Sequence, residues 1–353
     1  MNRRIAVPER LAQRVTATFG DAGRRWVAEV PDVAAAVADR WALRLGDPFP
    51  EGTHALVLPA VRPDGARAVL KLPLRDGEND AEAFALRAYD GDGAVRLYGH
   101  DPATGAMLIE QAEPGDPLLT HPDMAAAFAI ACGLVLRLRR PAPPGFAFPS
   151  MRSLLAGWVA QWTQLALELR VTGDPDRAAP LTAALRLARR QLRHYREAGV
   201  LINRDTHLRN IVAAGREPWL VIDPKPVVGP PAYEAGLPVL LMLGAEPTPD
   251  AADAVIEQVA AGLRHDPAEV RDWALLRAVE NMTWNRGGSG SQTGFQAVSA
   301  RQAAVLMRRY DADPWALPGP DTRRKTEMAD VERRRSWPPP ANSVTGSRHE
   351  VRR

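Results

Sequence analysis

One pair of short segments constrains this chain more than any other feature. An apolar run that ends at Ile202 is followed by Asp205, and Asn210 comes five positions later. A second apolar run, 219–222, is followed directly by Asp223, which comes thirteen positions after Asn210. Two carboxylates and an amide at this spacing are typical of chains that present a base and two magnesium ligands to the terminal phosphate of a nucleotide.

Each of these polar residues has an expected role. We interpret Asp205 as the general base for a hydroxyl proton, and Asn210 and Asp223 as ligands of Mg²⁺, which prefers hard oxygen atoms. For Asp205 alone, a turn-capping role is the alternative. His207 is expected to orient the loop by hydrogen bonding. Lys225, between two prolines, is either a substrate or phosphate contact or a solvated side chain, and the sequence leaves that choice open.

Lysine is rare in this chain, which has only three against many arginines. Lys71 lies inside the apolar strand pattern 68–72. An ammonium among apolar neighbours needs a partner, because an unpaired buried charge is costly. We therefore interpret Lys71 as a phosphate contact held by a carboxylate of the next helix, against the alternative of an exposed side chain on an edge strand.

Glu82 is the preferred partner of Lys71. It has a competing interpretation, since Asn79 and Glu82 have the spacing of a helix capping box. Glu78 and Asp80 are alternative partners for the lysine. Gly46, Gly52 and Thr53, before the first strand, either cover phosphates with backbone amides or form an ordinary turn.

The pattern of elements predicts an α+β fold with two lobes. A helix over 32–43 precedes a hairpin whose strands, 55–58 and 68–72, are joined by the turn Arg62-Pro63-Asp64-Gly65. A helix over 80–90 and a strand pair, 95–98 and 106–110, complete a small β-rich N-lobe at 1–112. A larger helical C-lobe at 113–315 is expected to contain helices 121–140, 151–170 and 180–198, a hairpin turning at Gly215, and further helices within 250–310.

Charge and composition limit the partners. Residues 321–353 carry nine Arg or Lys and five Asp or Glu, a balance of +4 against +3 for the whole chain, so residues 1–320 carry about −1. A net charge so close to zero on residues 1–320 gives no reason to expect that this part of the chain binds nucleic acid. The tail, 316–353, is predicted to be disordered and solvated, with a docking arm as the alternative.

Cys132 is the single cysteine, which excludes an internal disulfide and fits a reducing cytoplasm. It lies in an apolar helical pattern and is expected to be buried. The N-terminus has no apolar signal segment, and no apolar stretch is long enough to span a membrane. The oligomeric state cannot be read from the sequence.

Several motifs together resemble the aminoglycoside/hydroxyurea phosphotransferases, and within them the streptomycin kinases. The resemblance extends over most of residues 5–310. It includes the segments 41–46, 86–97 and 215–226, the strand with Lys71, and Glu110. The motifs are specific as a set, whereas each alone is not.

The resemblance implies a protein-kinase-like fold and ATP-dependent phosphorylation of a small-molecule hydroxyl. It implies that Lys71 contacts the ATP phosphates and that Glu82 pairs with it. Asp205 would be the base, and Asn210 and Asp223 would hold magnesium. The adenine site would be lined by backbone groups of Ile109, Glu110, Gln111 and Ala112.

The catalytic loop departs from the family pattern. The family usually has His and then Trp or Gly before the catalytic Asp, with Leu after it, whereas this chain has Asn203, Arg204 and Thr206. A charge at Arg204 would favour the ionised carboxylate of Asp205 and weaken it as a base. This leaves a nucleotide-binding pseudokinase as an alternative to the enzyme.

The expected acceptor is an aminoglycoside such as streptomycin, with another small metabolite, a sugar or an amino alcohol, as the alternative. Polycationic acceptors favour a pocket lined with carboxylates. Glu280 and Asp272, on a late helix with Trp273 and Trp284, could line such a pocket, but solvation at the surface is the expected role of both acids.

Overall fold

An antiparallel five-stranded sheet forms the N-terminal part of the chain. The computed structural model describes residues 5–50, 52–75, 79–196, 199–284 and 290–310. The strands of this sheet are β1 (Arg44–Leu45), β2 (Ala55–Val61), β3 (Arg67–Pro73), β4 (Leu97–His100) and β5 (Met107–Glu110). Their order is β1-β2-β3-β5-β4, which places β3 at the centre.

The predicted β2–β3 hairpin is confirmed. The backbone N–H of Gly65 donates to the carbonyl of Arg62, and the N–H of Arg62 donates to that of Ala66, both at 2.9 Å. Gly65 has a φ of +84°, a conformation that glycine adopts without steric cost. The hairpin fixes the register of β3, in which Lys71 lies opposite Val57.

Each face of the sheet is covered by a helix. Helix α1 (Glu9–Arg40) packs on one face and α2 (Glu82–Tyr89) on the other. The sequence predicted only the C-terminal part of α1, from residue 32. The helix is interrupted at Gly20, where φ is +57°, and contains Pro31. Because glycine and proline interrupt the helical pattern of the sequence, the first two-thirds of α1 were not predicted.

The remainder of the chain is mostly helical, as predicted. The helices are α3 (Met124–Leu138), α4 (Met151–Thr172), α5 (Pro175–Arg193), α6 (Gly236–Leu243), α7 (Pro249–Leu263), α8 (Pro267–Thr283) and α9 (Gly290–Leu306). Their starts follow local chemistry, since Asp123 accepts from two backbone N–H groups of α3 and Ser150 from one of α4. Helix α6 was not predicted, because its short apolar run has no helical alternation of polar residues.

Two small sheets lie within this helical part. The first contains β6 (Pro114–Pro117), β9 (Ile211–Ala214) and β10 (Trp219–Val221), in the order β10-β9-β6. The second contains β7 (Arg140–Pro141), β8 (Val200–Asn203) and β11 (Pro226–Val228), in the order β11-β8-β7. The predicted hairpin at Gly215 is confirmed as β9–β10.

One continuous core connects the N-terminal sheet with these small sheets. It contains Met107 and Ile109 of β5, Leu134 of α3, Leu201 of β8 and Leu220 of β10, all buried. The core therefore holds the ends of β8 and β10 in a fixed position relative to β3. The division into lobes at residue 112 stays a prediction, and the tail at 316–353 lies outside the described residues. None of the helices in the described ranges has the length and apolarity needed to span a membrane.

Candidate active site

A buried ion pair joins the central strand to α2. The Nζ atom of Lys71 lies 2.7 Å from both carboxylate oxygens of Glu82. The capping-box interpretation is wrong, because a short 3₁₀ turn covers Asn79–Ala81, and Glu82 is the first residue of α2, which has no side-chain cap. Asp80 pairs with Arg75 instead. Glu78 lies outside the described residues.

The same lysine reaches a second carboxylate. Its Nζ atom is also 2.7 Å from Oδ1 of Asp223. Burial disfavours the charge on Lys71, but Asp223 and Glu82 more than offset it and raise the pKa of the lysine. The charge of Lys71 in turn lowers the pKa of Asp223. Both groups therefore stay ionised at neutral pH.

Asp223 has an unusual backbone conformation. Its φ is +51°, in the left-handed region that Asp tolerates better than most side chains. Just before it, the N–H of Ile222 donates to the carbonyl of Asn210 at 2.8 Å. Asp223, two residues after the end of β10, therefore makes a sharp turn that directs its carboxylate toward Lys71.

Asn203 connects the two polar segments of the site. Its Oδ1 atom accepts from the backbone N–H of Asp205 at 3.1 Å and from that of Lys225 at 2.9 Å. The N–H of Arg204 donates to the carbonyl of Lys225 at 3.0 Å. The sequence singled out Asn203 only as a departure from the family pattern. Its position at the end of β8, opposite Pro226, is what the sequence did not reveal.

Asn210 contacts both segments as well. It ends a 3₁₀ turn at Leu208–Asn210. Its Nδ2 group donates to the carbonyl of Asp205 at 3.3 Å, while its own carbonyl accepts from Ile222. The amide nitrogen of Asn210 is turned toward Asp205. The structure therefore brings Asn210 close to both segments that the sequence selected, the one with Asp205 and the one with Asp223.

The side chain of Asp205 has a cationic neighbour. The Nζ atom of Lys225 is 3.3 Å from its Oδ2 atom, and the side chain of this lysine is 29% exposed, so its contact with a substrate or phosphate stays a prediction. His207 donates its backbone N–H to the carbonyl of Asp205 at 2.9 Å, and its Nε2 atom is 4.0 Å from Oδ2. These contacts are compatible with the loop-orienting role expected for His207.

Arg204 forms an ion pair with an acidic residue of α8. Its guanidinium is 2.9 Å from Oε1 of Glu280, whose other oxygen is 3.1 Å from Nη1 of Arg277. The expectation that Glu280 is solvated is therefore wrong, since its side chain is only 13% exposed. Asp272 is likewise paired, with Arg190 at 2.6 Å. Trp273 is buried and Trp284 is half exposed.

The predicted adenine-lining segment, Ile109 to Ala112, follows β5. The carboxylate of Glu110 makes two bonds of 2.9 Å to the guanidinium of Arg216 and accepts from the N–H of Arg96 at 3.0 Å. Arg216 also donates to the carbonyls of Gly91 and Ala94. It lies in the β9–β10 turn, and the sequence did not identify it. The cluster ties the end of β5 to the β9–β10 hairpin.

The glycines before β2 fit an ordinary turn better than a phosphate cover. The N–H of Gly46 donates to the carbonyl of Pro59 at 2.8 Å, so this amide is already used. At Gly52, a Cβ atom would lie 2.5 Å from the carbonyl of Ala55, which explains the need for glycine there.

The oxygen atoms of the candidate site can be compared with the ligands that magnesium prefers. No group of three or more His, Cys, Asp or Glu side chains suited to a metal occurs within the part of the chain that the structure describes. Asn210 and Asp223 offer hard oxygen atoms, and magnesium is usually held by one or two carboxylates together with substrate phosphates. The residues therefore fit a metal that arrives with a nucleotide.

A cavity of about 900 Å³ opens beside the segment 205–209. Asp205, Thr206 and His207 form one side of it, and α3, α6, α8 and α9 contribute most of the rest. Its position next to Asp205 makes it the candidate site for an acceptor molecule.

The architecture is that of protein-kinase-like phosphotransferases. The aminoglycoside phosphotransferase APH(4)-Ia, solved as a ternary complex with ADP and hygromycin B, is similar with a TM-score of 0.54 at 14% identity, over 78% of this chain and 98% of that chain. The ethanolamine kinase of Plasmodium vivax is similar with a TM-score of 0.53 at 12% identity, over 85% of this chain and 94% of that one. These likenesses establish the fold.

The sequence establishes the family. The model of the aminoglycoside/hydroxyurea antibiotic resistance kinases matches residues 40–288, and the chain belongs to this family. Streptomycin 6-kinase of Streptomyces griseus is 33% identical over 85% of this chain and 96% of its own length. Hydroxyurea phosphotransferase of Kitasatospora aureofaciens is 35% identical over 85% of both chains. The chain is therefore a small-molecule kinase, a phosphotransferase that acts on a hydroxyl group.

Proposed function

We propose that this protein transfers the terminal phosphoryl group of ATP to a hydroxyl of a small molecule, with Asp205 as the base. The observation that carries the proposal is the convergence of Lys71, Glu82 and Asp223 with the loop that holds Asp205 and Asn210. Phosphoryl transfer depends mainly on positioning and on neutralisation of charge, which this arrangement can supply.

The nucleotide side of the site consists of Lys71, Glu82 and Asp223. Glu82 holds the ammonium of Lys71 in place, where it contacts phosphate oxygens. Asp223 and Asn210 hold Mg²⁺, which supplies neutralisation of the charge on the phosphates when it is bound. Backbone groups of residues 109–112 line the adenine site, with Glu110 fixed by Arg216.

The acceptor side of the site centres on Asp205. Its carboxylate accepts the proton of the acceptor hydroxyl while the hydroxyl oxygen forms the new bond to phosphorus, and ADP leaves. Asn203 and Asn210 hold the loop through its backbone, so that the carboxylate is in place before the acceptor arrives. Lys225 adds a positive charge beside the position of transfer.

The names of the relatives make streptomycin and hydroxyurea the first acceptors to test. The purified full chain is incubated with ATP, Mg²⁺ and a panel that contains both compounds, other aminoglycosides, sugars and amino alcohols. ADP release is followed for each compound. Release that depends on one acceptor, and a phosphate ester of that acceptor found by mass spectrometry, would support the proposal.

The same screen tests the second candidate, a nucleotide-binding pseudokinase. The motivation for this candidate is the changed loop sequence at Asn203, Arg204 and Thr206. The pairing of Arg204 with Glu280 argues against it, because the added charge is balanced within the fold. ATP binding without ADP release for every compound in the panel would favour the pseudokinase.

A further inference from the structure

Helix α2, which carries Glu82, is too short to be stable by itself. It has eight residues, and its start has no side-chain cap. Helices of this length are marginal in water, so tertiary packing sets their position. One side of α2 packs into the core that it shares with the sheet, through Ala85, Leu86 and Tyr89. The contacts on its other side therefore help to decide where Glu82 lies.

That other side of α2 is contacted by the segment 140–150, which runs from β7 to the start of α4. The ring of Phe146 stacks on the ring of Phe84, with 3.8 Å between the ring centroids and 13° between the planes. The Nη1 group of Arg140 donates to the carbonyl of Ala88 at 2.7 Å. The segment therefore holds α2 both near its start and near its end.

Both ends of the segment 140–150 are joined to strands beside the candidate catalytic residues. At one end, β7 pairs with β8, which leads into the loop of Asp205. At the other end, the N–H of Val228 in β11 donates to the carbonyl of Pro149 at 2.8 Å. Strand β11 follows Asp223 in the chain. The segment thus connects α2 with the two strands that flank the other polar residues of the site.

The ion pair of Glu82 is sensitive to the position of α2. Both carboxylate oxygens lie 2.7 Å from the Nζ atom of Lys71. A displacement of the helix away from β3 by about 1 Å would take both distances beyond those of a hydrogen bond. Phe84 is two positions from Glu82, so its stacked ring restrains the turn of α2 that carries the carboxylate.

From these contacts we infer that Phe146 is a positioning residue for ATP binding. Through Phe84 it holds α2 where Glu82 meets Lys71. The inference rests on the proposed function, because it uses the contact between Lys71 and the ATP phosphates. It requires that Phe146 affects ATP only through Glu82. Once Glu82 no longer holds the lysine, loss of the ring of Phe146 has no further effect on ATP binding.

A double-mutant cycle on ATP binding tests this coupling. The Kd for ATP with Mg²⁺ is measured by calorimetry for the full chain, Phe146→Ala, Glu82→Gln and the double variant. From the strength of aromatic pairs, we expect Phe146→Ala to raise the Kd of the parent by about three- to tenfold. In the Glu82→Gln background, the same substitution should change it by less than about 1.5-fold. An equal rise in both backgrounds would overturn the inference, as would no rise in the parent.

Two variants separate positioning from a general loss of stability. Phe146→Tyr keeps the stacking ring and should have a Kd close to that of the parent. Phe19→Ala is the matched control, because it removes a half-buried ring of α1, on the other face of the sheet, whose edge contacts His54. It should lower the free energy of unfolding without changing the Kd. Equal rises in Kd for Phe19→Ala and Phe146→Ala would contradict a specific role of Phe146.

The binding measurement also separates this inference from the proposed function. The expected coupling, together with no ADP release for any acceptor, would support the role of Phe146 and contradict phosphoryl transfer. Additive effects together with ADP release would contradict the role of Phe146 alone, and no ATP binding by the parent would contradict both. Circular dichroism confirms that each variant is folded. If Phe146→Ala is not, Phe146→Leu takes its place in the cycle with the same expected coupling.

Discussion

The Nζ atom of Lys71 and the Oδ1 atom of Asp223 lie 2.7 Å apart, although 152 positions separate the two residues in the chain. The contact forms because β3 and β10 both pack into one buried core. It places the lysine between two carboxylates, of which Glu82 is the more deeply buried. The ammonium is thereby fixed at the point where the N-terminal sheet meets the end of the β9–β10 hairpin.

The first prediction concerns Glu82. Glu82→Gln keeps the size of the side chain but removes the charge that holds Lys71. Hydrogen bonds to charged groups contribute about 1.5–3 kcal/mol, so we expect the KM for ATP to rise by about 10–100-fold. Initial rates of ADP release at varied ATP provide the measurement. Asp80→Asn, which affects the exposed partner of Arg75, is the control and should change little. An unaltered KM in Glu82→Gln would show that Lys71 does not need this partner.

The second prediction concerns Asn203 as a positioning residue. Asn203→Ala removes an acceptor from the N–H groups of both Asp205 and Lys225. We expect a loss of stability of about 1–3 kcal/mol and a lower kcat with little change in the KM for ATP. Asn203→Asp keeps the acceptor oxygen and should recover most of kcat. Equal damage by both substitutions would argue that Asn203 does not position the loop.

The third prediction concerns magnesium. Because Lys71 lowers the pKa of Asp223, this carboxylate is ionised throughout the neutral and mildly acidic range and is available as a ligand. Asp223→Asn removes the charge, and we expect the Mg²⁺ concentration for half-maximal turnover to rise by about tenfold or more. A magnesium titration at saturating ATP measures this. The idea fails if the variant and the parent have the same titration midpoint.

The fourth prediction concerns the thiol of Cys132, which is buried against α7. Burial raises the pKa of this thiol to about 11. An acid with a raised pKa stays protonated below it, so at pH 8 only about a thousandth of the thiol is the reactive thiolate. We expect iodoacetamide labelling to be slow at pH 8 and to accelerate as the pH rises toward 11. Protein unfolded in urea is the control and should label promptly. An apparent pKa near 8.5 in the folded protein would contradict the burial.

The sequence was sufficient for the parts of the fold with strong local signals. The turn at Gly65 and the hairpin at Gly215 contain residues that set a specific backbone conformation, and both were predicted correctly. The first part of α1 and the whole of α6 were missed. In α1 the interruptions at Gly20 and Pro31 mask a helix that is stabilised by packing on the sheet.

Within the candidate site, the sequence identified the expected base and metal ligands, which are Asp205, Asn210 and Asp223. It did not identify the residues whose hydrogen bonds hold these segments in place. Asn203 and Arg216 act through long-range hydrogen bonds, and neither has a local pattern that distinguishes it from a surface polar residue. The pairing of Arg204 with Glu280 joins residues 76 positions apart. Contacts of this kind depend on how helices pack, which periodicity alone does not specify.

The central claim is that Asp205 acts as the base in a site that binds ATP independently of it. The most direct test is Asp205→Asn, assayed for turnover of whichever acceptor the parent phosphorylates and for ATP binding by calorimetry. Asp64→Asn, in the exposed β2–β3 turn, is the control. The account predicts that Asp205→Asn lowers kcat by about 10²–10⁴-fold and leaves the Kd for ATP within about twofold of the parent. Unchanged turnover in Asp205→Asn would contradict it.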